Sequence, residues 1–329
     1  MTSSDQSPKR PATRPSSSRR FVWLAIAIVA AIAVYTGGWF WAAGRVEDET
    51  LKFLTGIRDR GQQADCTNAE ARGYPFRLGL FCDGVAFSDA NRGLSFTGTG
   101  LRSAAQIYQP SRIVGELDHL AGDFPMADGA VRATASDMRF STRVAKPLPE
   151  LVSVQSGKID LALPDGQPLG TALGAMAHFR PNGADVDVAL SATDITLAGL
   201  PQLPPLAFNS DATLGNGVAR LLDQSRSLRN SIANIRELSI TAPDGAVTIS
   251  GNIAIDDRGL IDAQLTLGAR NLQEIARITG LAIPTLAARI EQFNRILGAM
   301  GDNPSIPVAI EKGNVRLGFF TVAEIPPLP

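Results

Sequence analysis

Residues Glu237 to Leu267 read ELSITAPDGAVTISGNIAIDDRGLIDAQLTL, and the spacing of their aliphatic side chains decides the fold. Leu238, Ile240 and Ala242 lead into Pro243-Asp244-Gly245. Val247, Ile249, Gly251, Ile253 and Ile255 lead into Asp256-Asp257-Arg258-Gly259, and Ile261, Ala263, Leu265 and Leu267 follow. A period of two belongs to a strand, whose side chains alternate between faces. Asp-Gly and Asp-x-x-Gly supply residues that tolerate the backbone of tight turns. The stretch predicts a three-stranded antiparallel meander with one aliphatic face and one face carrying Thr248, Ser250, Asn252, Asp262, Gln264 and Thr266.

The same period runs from about Tyr74 to Leu200. Ile159, Leu161 and Leu163 alternate with Lys158, Asp160 and Ala162, and Leu173, Ala175, Ala177 and Phe179 form the next set. Between Asp185 and Leu197 the apolar set Val186, Val188, Leu190 and Ala192 changes parity to Ile195 and Leu197. A similar slip separates Val131, Ala133 and Ala135 from Met138, Phe140, Thr142 and Val144. One extra residue at a β-bulge produces such slips and bends the strand, so a curved sheet is expected. Gly93 to Gly100 continues the alternation and reads as a strand rather than a phosphate cradle.

Three helices are expected beside the sheet. Val218, Leu221, Leu222, Ser225, Leu228, Ile232 and Ile235 share a stripe at helical spacing. Asn271 with Glu274 forms a capping box for a second helix that stops at Gly280, and Pro284 opens a third with Leu286, Ile290, Phe293 and Leu297, completing a helical hairpin. A last strand spans Asn314 to Val322, before a proline-rich end that docks or frays.

Upstream of the sheet, Phe21 to Ala43 contains no charged side chain, and Lys9, Arg10, Arg14, Arg19 and Arg20 precede it against one acid, Asp5. About 20 apolar residues cross a hydrocarbon core of about 30 Å, and the basic flank places the N-terminus in the cytoplasm. Ala42-Ala43-Gly44 also fits a signal-peptidase site. The segment is long for a cleaved leader, and its Trp39 and Trp41 suit a headgroup zone. Either reading exports the remainder. Val46, Thr50, Phe53, Leu54 and Ile57 extend the helix towards Arg60. The expected organisation is a disordered basic cytoplasmic tail (1–20), a transmembrane helix (21–43), a helical stalk (44–62) and an exported β-rich domain (63–329), with a subdivision near 200–215. The fold class is α+β and β-rich: a long, curved, mainly antiparallel sheet with a few covering helices.

Composition excludes several functions. The net charge of −1 and the absence of a Lys/Arg cluster beyond the anchor speak against nucleic acid. Only His119 and His178 are available as imidazoles, and neither lies in a catalytic motif; His178 has the parity of the polar face. No nucleophile elbow, H-E-x-x-H, P-loop or dinucleotide fingerprint occurs, and Asp256-Asp257 reads as turn rather than metal site. No catalytic residue, cofactor or metal is expected. Cys66 and Cys82, both beyond the anchor, are either a disulfide in an oxidising compartment or two buried thiols. Tyr74-Pro75-Phe76 and Tyr108-Gln109-Pro110 read as turns with an aromatic over the core, or as the rim of a groove formed by Tyr74, Phe76 and Tyr108.

The segments Gly73-Tyr74-Pro75-Phe76-Arg77-Leu78, with Cys82 beyond, and Ala105-Gln106-Ile107-Tyr108-Gln109-Pro110-Ser111-Arg112 resemble an uncharacterised family of alphaproteobacterial, membrane-anchored exported proteins, domain of unknown function 2125. The resemblance covers nearly all the chain after the tail. It implies topology and compartment and carries no catalytic residues. A more remote resemblance, in architecture alone, is to AsmA-like envelope proteins with one N-terminal anchor and long amphipathic sheets. The expectation is a non-enzymatic, single-pass protein of the bacterial inner membrane with its main domain in the periplasm. Its partners would be the membrane and lipid or acyl chains on the apolar sheet face. The alternative is a structural adaptor with a closed core that recruits envelope proteins and has no ligand.

Overall fold

A computed structural model describes residues 17–126, 129–223, 227–283, 303–318 and 320–328. Helix α1 (Ser17–Arg58) is followed by a short β1 (Gln63–Thr67) and β2 (Glu70–Arg72). A run of long strands comes next: β3 (Arg77–Asp89), β4 (Leu94–Gln106), β5 (Gln109–Met126), β6 (Gly129–Arg143), β7 (Leu151–Ala162), β8 (Pro168–Asn182) and β9 (Asp185–Leu197). Then follow β10 (Leu206–Leu214), α2 (Gly217–Leu222), β11 (Ser231–Thr241), β12 (Ala246–Ile255), β13 (Ile261–Arg270) and α3 (Leu272–Ala282). Three short strands finish the sheet: β14 (Ser305–Glu311), β15 (Asn314–Leu317) and β16 (Phe320–Glu324).

Among the described residues the strands form one sixteen-stranded sheet, and apart from β2, which pairs with β3, its order is the order of the chain. Every pairing is antiparallel, as a tight turn requires where one joins consecutive strands. The opening stretch folds as its spacing predicts: Ile249 lies opposite Leu267, and Ile253 opposite Ala263. The Asp256 carboxylate accepts from the amides of Arg258 and Leu260 and closes the second turn. Both predicted parity slips are present. Asp194 and Asp137 take left-handed backbone, at φ 49° and 53°, and the register shifts beside Asp194.

Register assigns every paired residue to a face, because partners directly opposite one another point the same way. Val154, Ala177, Leu190 and Ser210 lie in one row across β7 to β10, and Leu238, Ile249, Leu267 and Ile306 continue it from β11 to β14. Followed from β4 to β15, the paired positions of this face hold no charged side chain among the described residues. The opposite face carries ion pairs: Arg132 with Asp123 at 2.8 Å and Arg180 with Asp187 at 2.8 Å across neighbouring strands, and Lys158 with Asp160 at 2.8 Å along β7.

The apolar face is only half-buried. Val186, beneath Gly217 of α2, is the one large side chain with essentially no exposure among the described residues, while Leu190, Leu197, Leu214 and Ile240 are exposed. The accessible surface is 21877 Å², whereas a compact monomer of 34.8 kDa exposes about 13,000 Å². The exposed first half of α1 and the sheet, which has no second sheet packed over it among the described residues, both contribute to the excess.

Three local expectations are corrected. The stripe from Val218 to Ile235 is helical only as far as Leu222; Ile232 and Ile235 belong to β11, on opposite faces. The strand expected over Asn314 to Val322 is broken at Gly318 (φ 59°) into the β15–β16 hairpin. The two indoles expected to share one environment do not: Trp39 is buried against the sheet, and Trp41 faces outward. The helix expected from Pro284 lies outside the described residues. Asn271 caps α3 as predicted, accepting from the Glu274 amide at 3.3 Å, although the helix runs on to Ala282. The proline-rich end docks, with the Leu328 amide donating to Gly259 O at 2.8 Å.

Candidate functional site

Helix α1 is long and apolar enough to cross a membrane. It does not hold the domain at a distance, because its second half lies on the apolar face at the start of the sheet. Trp39 and Ala43 pack on Ala71 with Val46 and Leu78 beside them, and Leu54 and Ile57 pack on Ala64, Cys66 and Phe87.

Polar contacts fix the docking. The Trp39 indole donates to Arg77 O at 2.9 Å, and the Tyr35 hydroxyl donates to Pro75 O. Thr36 Oγ1 and the Tyr74 hydroxyl are 2.9 Å apart. The Tyr74 ring meets Trp39 edge-on at 5.5 Å and stacks on Phe40 at 6.1 Å. Glu47 accepts from the Ala71 amide at 2.8 Å, satisfying an edge-strand donor that β2 leaves open.

The three aromatic residues singled out from the sequence gather at this end. Tyr74 is held on α1, while Phe76 and Tyr108 are 72% and 78% exposed. Phe76 O accepts from the Ile107 amide at 3.2 Å, so the β2–β3 and β4–β5 connections lie side by side. Cys66 and Cys82 are joined as a disulfide with Cα atoms 5.4 Å apart, tying β1 to β3 beneath the helix.

Between α1 and the strands lies a cleft of about 680 Å³, walled by Tyr35, Trp39 and Val46 on the helix side and by Leu80, Ile107 and Ile113 on the sheet side. Its lining is almost wholly apolar, and its volume lies within the range of small-molecule sites. Sequence reading identified the aromatic tips but missed this wall, because it forms only where helical and strand periodicities meet. Around the edge of β4 and β5 a polar pocket of about 370 Å³ is lined by Arg77, Gln106, Gln109 and Arg112; Ala105 and Gln106 belong to both cavities.

The histidines lie apart. His178 is on the charged face, with Nδ1 2.9 Å from Ser153 Oγ, and His119 lines a separate depression with Thr134 and Lys158. Among the described residues no group of three His, Cys, Asp or Glu side chains is placed to hold a metal ion. The most strongly perturbed acid is Asp187: hydrogen bonds from Arg180 and Thr213, with Arg236 nearby, hold its carboxyl at about 2. This cluster ties β8, β9, β10 and β11 across the charged face and faces no cavity described above.

A family model with the description "Uncharacterized protein conserved in bacteria (DUF2125)" matches residues 39–326. No curated protein and no solved structure matches the chain.

Proposed function

We propose a lipid-handling role in the cell envelope for this chain, which belongs to the DUF2125 family of uncharacterized bacterial proteins. In this reading it is a non-enzymatic, single-pass protein of the inner membrane: α1 is the anchor, the basic N-terminus is cytoplasmic, and the sheet stands in the periplasm with acyl chains lying on its apolar face. The observation that carries the proposal is the uncharged, half-exposed face running strand after strand from β4 to β15. An aliphatic face of this extent left to water is costly, at about 25 cal/mol per Å², and acyl chains remove that cost without polar partners. The closed core of an adaptor has less support, since the leucines of this face stay exposed.

Photocrosslinking of the full chain tests the reading. A benzophenone amino acid at Leu214 or Ile240, on the apolar face, should capture phospholipid in cells, whereas one at Ile232, comparably exposed on the other face, should not. Equal capture at both faces, or none at either, would rule the proposal out.

A further inference from the structure

We propose that the apolar cleft and the adjoining arginine pocket together form a site for one glycerophospholipid, drawn from the leaflet into which the second half of α1 emerges. The proposal rests on the acyl-chain reading above and adds where the lipid is taken up and which group recognises it.

Depth along α1 is the first support. Residues 21–44 carry no charge, a span of about 36 Å at 1.5 Å per residue. Tyr35, Thr36 and Trp39, which hold the Tyr74–Arg77 loop, lie only about 9–15 Å short of Arg45 along the axis. The loop is thus fastened to helix that is itself of membrane composition. Phe76, Ile107 and Tyr108, exposed at the tips of the two neighbouring connections, would otherwise present apolar surface to water; at the depth set by α1 they enter the leaflet. The cleft behind them then opens among acyl chains.

Charge is the second support, and it is independent of the first. Most arginines of the charged face are matched: Arg102 to Asp118, Arg132 to Asp123, Arg143 to Glu150 and Arg180 to Asp187. Arg77 and Arg112 have no acidic partner among the described residues, although they line one pocket, and Arg112 also lies opposite Arg143 in register. Two exposed guanidinium groups that line one pocket holding no carboxylate offer an anion two sets of donors. Arginine pairs with phosphate through two parallel N–H···O bonds. Ala105 and Gln106 line the cleft from the apolar face and the pocket from the charged face, beside the tip where Gln106 pairs with Gln109, so a phosphodiester held by Arg77 and Arg112 places the glycerol over that tip and the acyl chains beside Leu80 and Ile113. From there the apolar face leads onward along the sheet.

The test uses the full chain in nanodiscs of phosphatidylethanolamine and phosphatidylglycerol, with a benzophenone amino acid at Ile113 (in the cleft) or at Leu214 (far along the face). The R77Q/R112Q variant should lower lipid capture at both positions about tenfold, the loss that one charge-assisted hydrogen bond to phosphate would give. R258Q, at a remote turn, should leave capture unchanged. An unaltered thermal melt for R77Q/R112Q certifies the fold; if it melts early, the single variants R77K and R112K, which keep the charge and lose the fork, replace it and should each lower capture. Full capture at Ile113 and Leu214 in the arginine variants overturns this site while leaving the acyl-chain reading intact. Absence of lipid at Leu214 in the unsubstituted chain refutes the acyl-chain reading itself. Inorganic phosphate that protects the arginines from a guanidine-modifying reagent while nanodisc lipid does not would identify a soluble-anion pocket, and would also overturn the proposal.

Discussion

Asp187 shows how much order one side chain on the charged face can impose. It accepts from Arg180 at 2.8 Å and from Thr213 at 2.7 Å, and Arg236 stands 3.6 Å away while also gripping Asp211. With its carboxyl held at about 2, against about 3.9 in an unfolded chain, the folded state binds this proton less readily than the unfolded one. The stability it contributes is therefore complete above about pH 5 and is lost as pH falls through 4 towards 2. Asp187→Asn should cost about 1–2 kcal/mol at neutral pH, discounted because its arginine partners are solvent-exposed. It should also flatten the acid limb of a pH series of urea unfolding curves; an unchanged limb would show that another group governs acid loss. Sequence parity was enough to place His178 on the polar face. It could not reveal that Arg77 and Arg112 have no acidic partner among the described residues, because ion pairing depends on which residue the next strand brings opposite, and bulges at Asp137 and Asp194 reset that alignment.

The union of α1 with the first strands makes a helix long and apolar enough to cross a membrane into a wall of the domain. Trp39 carries much of it through buried area and the bond to Arg77 O. Trp39→Ala should destabilise this contact by about 3 kcal/mol and Trp39→Phe by about 1, since the latter keeps the ring and loses the hydrogen bond. Faster tryptic cleavage after Arg77 in detergent, in the same order, would register the release of the loop; equal cleavage in all three forms would show that Trp39 does not hold it. Elements with their own turn chemistry, such as β11 to β13, were legible from the sequence. The segment before them was not: apolar residues at Leu228, Ile232 and Ile235 repeat at three and four, which imitates a helix. Asn230 at φ 55° turns the chain into β11, where Ile232 and Ile235 fall on opposite faces.

Across the molecule, each long strand draws its main contacts from the strand before it and the strand after it. Stability then accumulates from neighbour to neighbour, as in repeat proteins, instead of residing in one shared core. Gly251 tests this. Its φ is 136°, and a Cβ there would stand 2.1 Å from Gln264 O, so Gly251→Ala forces β12 and β13 apart. Hydrogen exchange read by mass spectrometry should show protection lost from β11 to β15 and retained from β3 to β8. Uniform loss along the chain would instead mean a single cooperative unit. Strand order was legible where short turns compel consecutive strands to pair, as from β11 to β13. The openness of the apolar face was not, since alternation specifies a greasy side without specifying what covers it.

Strand order that follows the chain also makes length an evolvable dimension. Duplicating one hairpin would extend the sheet by about 10 Å, return the chain to the rim it left, and keep oily and ionic surfaces in their places. Inserting a single strand would send everything downstream to the opposite rim. Growth in this architecture therefore proceeds by pairs, and a trough of a different reach is only a tandem duplication away.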